Sequence, residues 1–67
     1  MFEEYEVVRA RRQLSEKVPP GAQGTILLIY KYPHPAYEVE FLDSEGDHLE
    51  VLTVADDDIT KVQNSGD

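Results

Sequence analysis

The chain has 67 residues, with 6 Lys and Arg against 14 Asp and Glu, two His, no Cys and no Trp, for a formal charge of −8. A chain this short makes one domain burying only ~60% of its unfolded surface, and without Cys it offers no disulfide, thiolate metal site or Cys nucleophile. No apolar run approaches the ~18 residues of a membrane span, and Met1-Phe2-Glu3-Glu4 is acidic where a signal peptide is basic, so the expectation is a soluble cytoplasmic protein with no membrane partner.

Taken in chain order, the pattern predicts strands throughout. Tyr5-Glu6-Val7-Val8-Arg9 is a short β-rich run. A long first loop over residues 10–23 follows, and in Val18-Pro19-Pro20-Gly21-Ala22-Gln23-Gly24 two prolines lack donors and Gly21 can take a positive φ. Thr25-Ile26-Leu27-Leu28-Ile29-Tyr30 is nearly all apolar or β-branched and too short for a helix, so it reads as a central strand. Tyr32-Pro33-His34-Pro35 ends it. Tyr37-Glu38-Val39-Glu40-Phe41 alternates strictly, with Tyr37, Val39 and Phe41 inward and Glu38 and Glu40 outward.

The second half is punctuated as clearly. Asp43-Ser44-Glu45-Gly46-Asp47 predicts a hairpin turn with Gly46 left-handed. Leu49-Glu50-Val51 continues the alternation and Leu52-Thr53-Val54 blurs it. Ala55-Asp56-Asp57-Asp58 suits a single helical turn capped by Asp56. Ile59-Thr60-Lys61-Val62 gives the last strand, and the polar residues 63–67 are expected to fray. Five strands, one long loop and a helical turn before the last strand predict an all-β, SH3-like barrel over residues 1–62. Closure hides edges that an open sheet of this size would expose. The expected core is Val7, Ile26, Leu28, Tyr37, Val39, Phe41, Leu49, Val51 and Ile59.

Three segments carry a family resemblance: Val18-Pro19-Pro20-Gly21-Ala22-Gln23-Gly24-Thr25-Ile26, Tyr37-Glu38-Val39-Glu40-Phe41-Leu42-Asp43, and Leu52-Thr53. In order and spacing they resemble the small bacterial domains of unknown function marked by V-P-x-G-x-x-G-T-I, Y-x-V-E-F-x-D and a late L-T pair. The resemblance covers residues 5–59 and implies a stand-alone bacterial domain, often accompanied by toxin–antitoxin genes, hence an antitoxin or immunity role. More distantly, Gly21-x-x-Gly24-Thr25-Ile26-x-x-Ile29 resembles the glycine signature of KOW modules in ribosomal and transcription proteins. The residues themselves need no ligand: Gly21 turns the chain and Gly24 lets it start a strand close to its neighbour. The stretch lacks the Gly-Lys-Ser/Thr ending of a phosphate loop, and no helix pattern follows it.

Charge is segregated along the chain. Residues 1–8 carry −3, residues 9–37 carry +4 and residues 38–67 carry −9. Neither Asp56-Asp57-Asp58 nor the Asp43–Asp47 turn has calcium-loop spacing. His34 and His48 lack a shared ligand pattern, and Ser15 and Ser44 lack a neighbouring base, so no metal, cofactor or catalytic role is expected. Glu38, Glu40 and Glu50 are expected on one exposed acidic face suited to a basic protein partner. That makes a non-catalytic interaction module, antitoxin-like or accessory to a cationic protein. The alternative is KOW-like nucleic-acid binding through Arg9, Arg11, Arg12 and Lys31, with Tyr30, Tyr32 and His34 for stacking, against the repulsion of a −8 body. A third expectation is a structural subunit, with Leu27, Ile29, Leu52 and Val54 exposed in the monomer.

Overall fold

The computed structural model describes residues 1–62. The strict alternation of Tyr37, Val39 and Phe41 gives one strand a buried and an outer face within an antiparallel sheet. Its members are β1 (Val7–Ala10), β2 (Gln23–Tyr30), β3 (Ala36–Leu42), β4 (His48–Ala55) and β5 (Ile59–Lys61), in spatial order β4-β3-β2-β1-β5. β4 and β5 lie at opposite edges, yet only the 3₁₀ turn Asp56–Asp58 separates them in the chain. Laid flat, the sheet would part them by ~19 Å, at ~4.8 Å per strand spacing. A three-residue 3₁₀ turn spans only ~6 Å. The sheet must therefore curl, and the result is a small, partly open all-β barrel with the expected five strands and helical turn.

Two glycines turn the chain as the sequence requires. Gly21 (φ +84°) closes the long loop and Gly46 (φ +88°) sits in the β3–β4 hairpin. Gly24 has a different reason to be glycine. A Cβ there would lie 2.6 Å from Val39 Cγ1, 2.9 Å from the Glu40 carbonyl oxygen and 2.9 Å from Phe41 Cδ1. β2 thus starts hard against β3. The 3₁₀ turn corrects one expectation: Ala55, not Asp56, is its N-cap residue. Asp58 Oδ2 reaches back to accept the Ala55 N–H at 2.9 Å, while Asp56 accepts the Tyr37 hydroxyl at 2.6 Å.

The core is Val8, Ala10, Val18, Ile26, Tyr37, Val39, Phe41, Val54 and Ile59, flanked by half-buried Phe2, Leu14, Ala22, Ile29, Leu49 and Leu52. Phe2 closes one end edge-to-face on Tyr37, ring centroids 5.4 Å apart. Five expected core residues are buried, but Val7, Leu28 and Val51 are exposed and Leu49 is half-buried. Register explains each. In β2 a bulge at Leu27 leaves Ile26 opposite Val39 but Leu28 opposite Glu38, so Leu28 turns outward with its partner. A second bulge, at Leu49, sets Glu50 opposite Phe41 and Val51 opposite Glu40. Val7 pairs with Thr25, whose other neighbour is Glu40, so Val8 takes the interior place. The expectation for residues 63–67 lies outside the described residues. Among those described, no helix is long and apolar enough to cross a membrane.

Candidate functional site

Directly opposed residues of a ladder share a face, so the registers define the outer surface of β2, β3 and β4 row by row. One row is Val7, Thr25, Glu40 and Val51, and the next is Leu28, Glu38 and Thr53, with Tyr30 and Ala36 beyond. Leu28 is 44% exposed, Val51 43%, Tyr30 43% and Val7 39%. Glu38 and Glu40 stand among these apolar side chains, two residues apart on one strand and hence ~7 Å from each other.

Their local partners are a hydroxyl and an imidazole. The Thr53 hydroxyl donates to Glu38, and His48 Nδ1 lies 3.1 Å from Glu40 Oε2. Some other carboxylates do meet a cation: Asp58 pairs with Arg12, and Glu6 Oε2 lies 3.6 Å from Lys61 Nζ. Asp43 is occupied within its own turn, where Oδ1 accepts the Glu45 and Asp47 N–H groups, both at 2.9 Å. Among the described residues neither Glu38 nor Glu40 meets a Lys or Arg.

Glu50 does not join them, which corrects the expected triad. Facing Phe41, it lies on the inner side of the ladder, where the Ser15 hydroxyl donates to its Oε1 at 2.5 Å. It ties the long loop to β4. The signal was present in Leu52 and Val54, which share Glu50's parity and point inward, but Leu49 and Val51 offered the opposite parity equally well.

Lys31 stands apart from the other basic residues. Arg9 Nη1 donates to the Gly21 carbonyl at 3.1 Å, and Arg12 is held by Asp58 and, at 3.4 Å, by the Asp57 carbonyl. The Arg11 backbone N–H donates to Asp58 O at 2.8 Å. Arg9 pairs with Gln23 at the start of β2, whereas Lys31 follows its last residue, Tyr30, ~26 Å along the strand. Tyr32 (88% exposed) and His34 lie at the Lys31 end, across a cis Tyr32–Pro33 bond.

An open groove of about 690 Å³ lies between the long loop and the β3–β4 hairpin, lined by Arg9, Lys17, Pro19, Pro20, Leu42 and Leu49. It was missed in the sequence because its walls are distant in the chain and meet through the Gln23–Leu42 pairing and the Ser15–Glu50 hydrogen bond. Of the apolar residues expected to be exposed, Leu27 is (39%), Ile29 and Leu52 are half-buried, and Val54 is core. Among the described residues, no three His, Asp or Glu side chains converge as a metal site would require. Burial, and then the hydrogen bond to Asp56, push the Tyr37 phenol above its ordinary pKa.

Residues 4–61 match the family model described as "Domain of unknown function (DUF4926)", a description that names no catalytic activity. No curated protein and no solved structure gives a match.

Proposed function

The chain belongs to the DUF4926 family, and from that premise we propose that it is a non-catalytic interaction module whose outer β2–β3–β4 face docks on a cationic protein. One observation carries the reading: among the described residues Glu38 and Glu40 meet no Lys or Arg, and they stand on a face that also exposes Leu28, Val51 and Tyr30. Two carboxylates ~7 Å apart repel by ~0.6 kcal/mol at the dielectric of water and by ~2 kcal/mol at an effective dielectric of 20. A Lys or Arg supplied between them removes that repulsion while its stem covers Leu28 or Val51. Surface acidity of this kind also steers association. An antitoxin-like role, with a cationic toxin as the partner, is the biological setting this reading favours. The acidic face is narrowed here to Glu38 and Glu40.

The KOW-like nucleic-acid reading has less support, because Arg12 is paired with Asp58 and Lys31 stands far from Arg9. The test is capture from the native lysate by the tagged protein and by its E38Q/E40Q variant, which keeps the Thr53 and His48 contacts. The expected result is a basic protein retained at low salt, released at high salt and lost with the variant. Equal retention by both baits, or a nuclease-sensitive nucleic acid in place of the protein, overturns the reading.

A further inference from the structure

The outer edge of β4 is left unused by the face just described, and backbone parity shows what it offers. The Ala10 N–H donates to Ala22 O at 2.8 Å and the Ile26 N–H to Glu6 O at 3.0 Å, so these even-numbered β2-side residues bond toward β1. Alternation then turns Gln23 and Thr25 toward β3, and so turns Glu40 and Leu42 of β3 back toward β2. Tyr37, Val39 and Phe41 bond β4 through their partners Val54, Leu52 and Glu50. Val51, Thr53 and Ala55 therefore direct N–H and C=O away from the sheet. Ala55 bears this out, since its N–H is taken by Asp58 Oδ2 at 2.9 Å. Among the described residues Val51 and Thr53 make no backbone bond outside the ladder, and parity turns their groups away from β3.

Exposed edges are ordinarily guarded by shortness, Lys, Pro, a bulge or an inward charge. The opposite edge, β5, is three residues long and ends in Lys61. β4 is eight residues long, with neither Pro nor Lys, and its two guards, the bulge at Leu49 and the inward Glu50 held by Ser15, both precede Val51, leaving Val51 and Thr53 unguarded. We propose that the β4 edge is a strand-addition site, and that its occupant is an extended, antiparallel segment of a cationic protein with Lys or Arg on alternate positions of the outer face. This rests on the acidic-face reading. The added strand would lie about two strand spacings, ~10 Å, from Glu38 and Glu40, a gap that a Lys or Arg stem crosses by lying over Val51. Main-chain bonds to Val51 and Thr53 give such docking its affinity, and the flanking side chains its specificity. A second copy is the poorer occupant because it brings the same net charge of −8.

The probe is an acetylated, amidated octapeptide of alternating Lys and Val, in three forms: plain, N-methylated at every Lys, and N-methylated at every Val. With Lys on the outer face of an antiparallel strand, the Lys N–H groups are the ones that donate to Val51 and Thr53. The plain and Val-methylated peptides are expected to bind and to slow amide exchange at Val51 and Thr53 by tenfold or more, and the Lys-methylated peptide to bind at least tenfold more weakly. Equal binding of all three without protection of Val51 and Thr53 overturns strand addition but leaves the acidic face standing. Protection that persists undiminished in E38Q/E40Q keeps the ladder and overturns the acidic-face reading on which the choice of a cationic occupant depends. A protein dimeric without peptide, with Val51 and Thr53 already protected, makes the occupant a second copy and overturns the proposal.

Discussion

Replacing Gly24 by Ala tests whether the glycine-rich stretch is architecture. The added methyl would sit 2.6 Å from Val39 Cγ1 and 2.9 Å from both the Glu40 carbonyl and Phe41 Cδ1. Val39 and Phe41 are fully buried, and the carbonyl belongs to the ladder, so no flexible tip is available to move aside. Overpacking of this kind costs ~2–3 kcal/mol, out of a total of only ~3–10 kcal/mol for a domain of this length. At ~4–8 °C per kcal/mol the melting temperature should fall by ~10–20 °C. Gly21→Ala is the comparison. It meets nothing within 4 Å but must hold φ +84°, which costs ~1 kcal/mol after the loss of unfolded-state freedom is credited. Urea and thermal unfolding followed by circular dichroism rank the two. If G24A lies within ~0.5 kcal/mol of wild type, or G21A is the more damaging, the close-approach argument is wrong.

Tyr37→Phe removes the hydroxyl that Asp56 accepts, and at neutral pH it should cost ~1 kcal/mol. Because the folded-state phenol is raised by burial and by Asp56, its contribution is complete below pH ~10 and is lost as pH rises through the folded value. Urea midpoints measured from pH 8 to 11 should thus fall more steeply for wild type than for Y37F, and parallel profiles would contradict this. Ser15→Ala leaves half-buried Glu50 without its donor and should cost ~1 kcal/mol, seen as a lower urea midpoint and faster amide exchange in the long loop. Tyr5, 71% exposed, holds φ +66°, so Tyr5→Asn should raise stability by ~0.5–1 kcal/mol in the same unfolding assay.

What the sequence made legible follows from which segments constrain themselves. Tyr37-Glu38-Val39-Glu40-Phe41 admits one parity only, because reversing it would bury two carboxylates, and the structure keeps that parity. Gly21 and Gly46 were readable because turn chemistry there has one economical solution, a positive φ. Val7 and Val8 were not distinguishable: both are valines, and only the pairing of Val7 with Thr25 sends it outward. Glu50 was misplaced for the related reason that Leu49, Val51, Leu52 and Val54 offer apolar residues at both parities. Lys31 was misplaced on distance, since Lys31 and Arg9 are neighbours in charge pattern but sit at opposite ends of β2.

The bulge at Leu27 joins that illegibility to the candidate site. Ile26-Leu27-Leu28-Ile29 is apolar at every position, so β2 can be read with either face inward, and its own residues cannot choose. The choice comes from β3, which holds Ile26 opposite Val39 and Ile29 opposite Tyr37. Two inward residues three positions apart cannot both be satisfied by a strand of period two, and the extra residue is absorbed at Leu27. Leu28 is thereby delivered to the outer face beside Glu38, 44% exposed. A regular β2 would have put Leu28 in the core and Leu27 opposite Glu38, leaving a Leu on the outer face in either case. An apolar neighbour for the carboxylates is therefore built into the composition of the strand, and the bulge decides only which leucine supplies it. The pairing of exposed Leu with Glu that meets no Lys or Arg among the described residues follows from that composition together with the fixed parity of β3, which is why this face is the one to test.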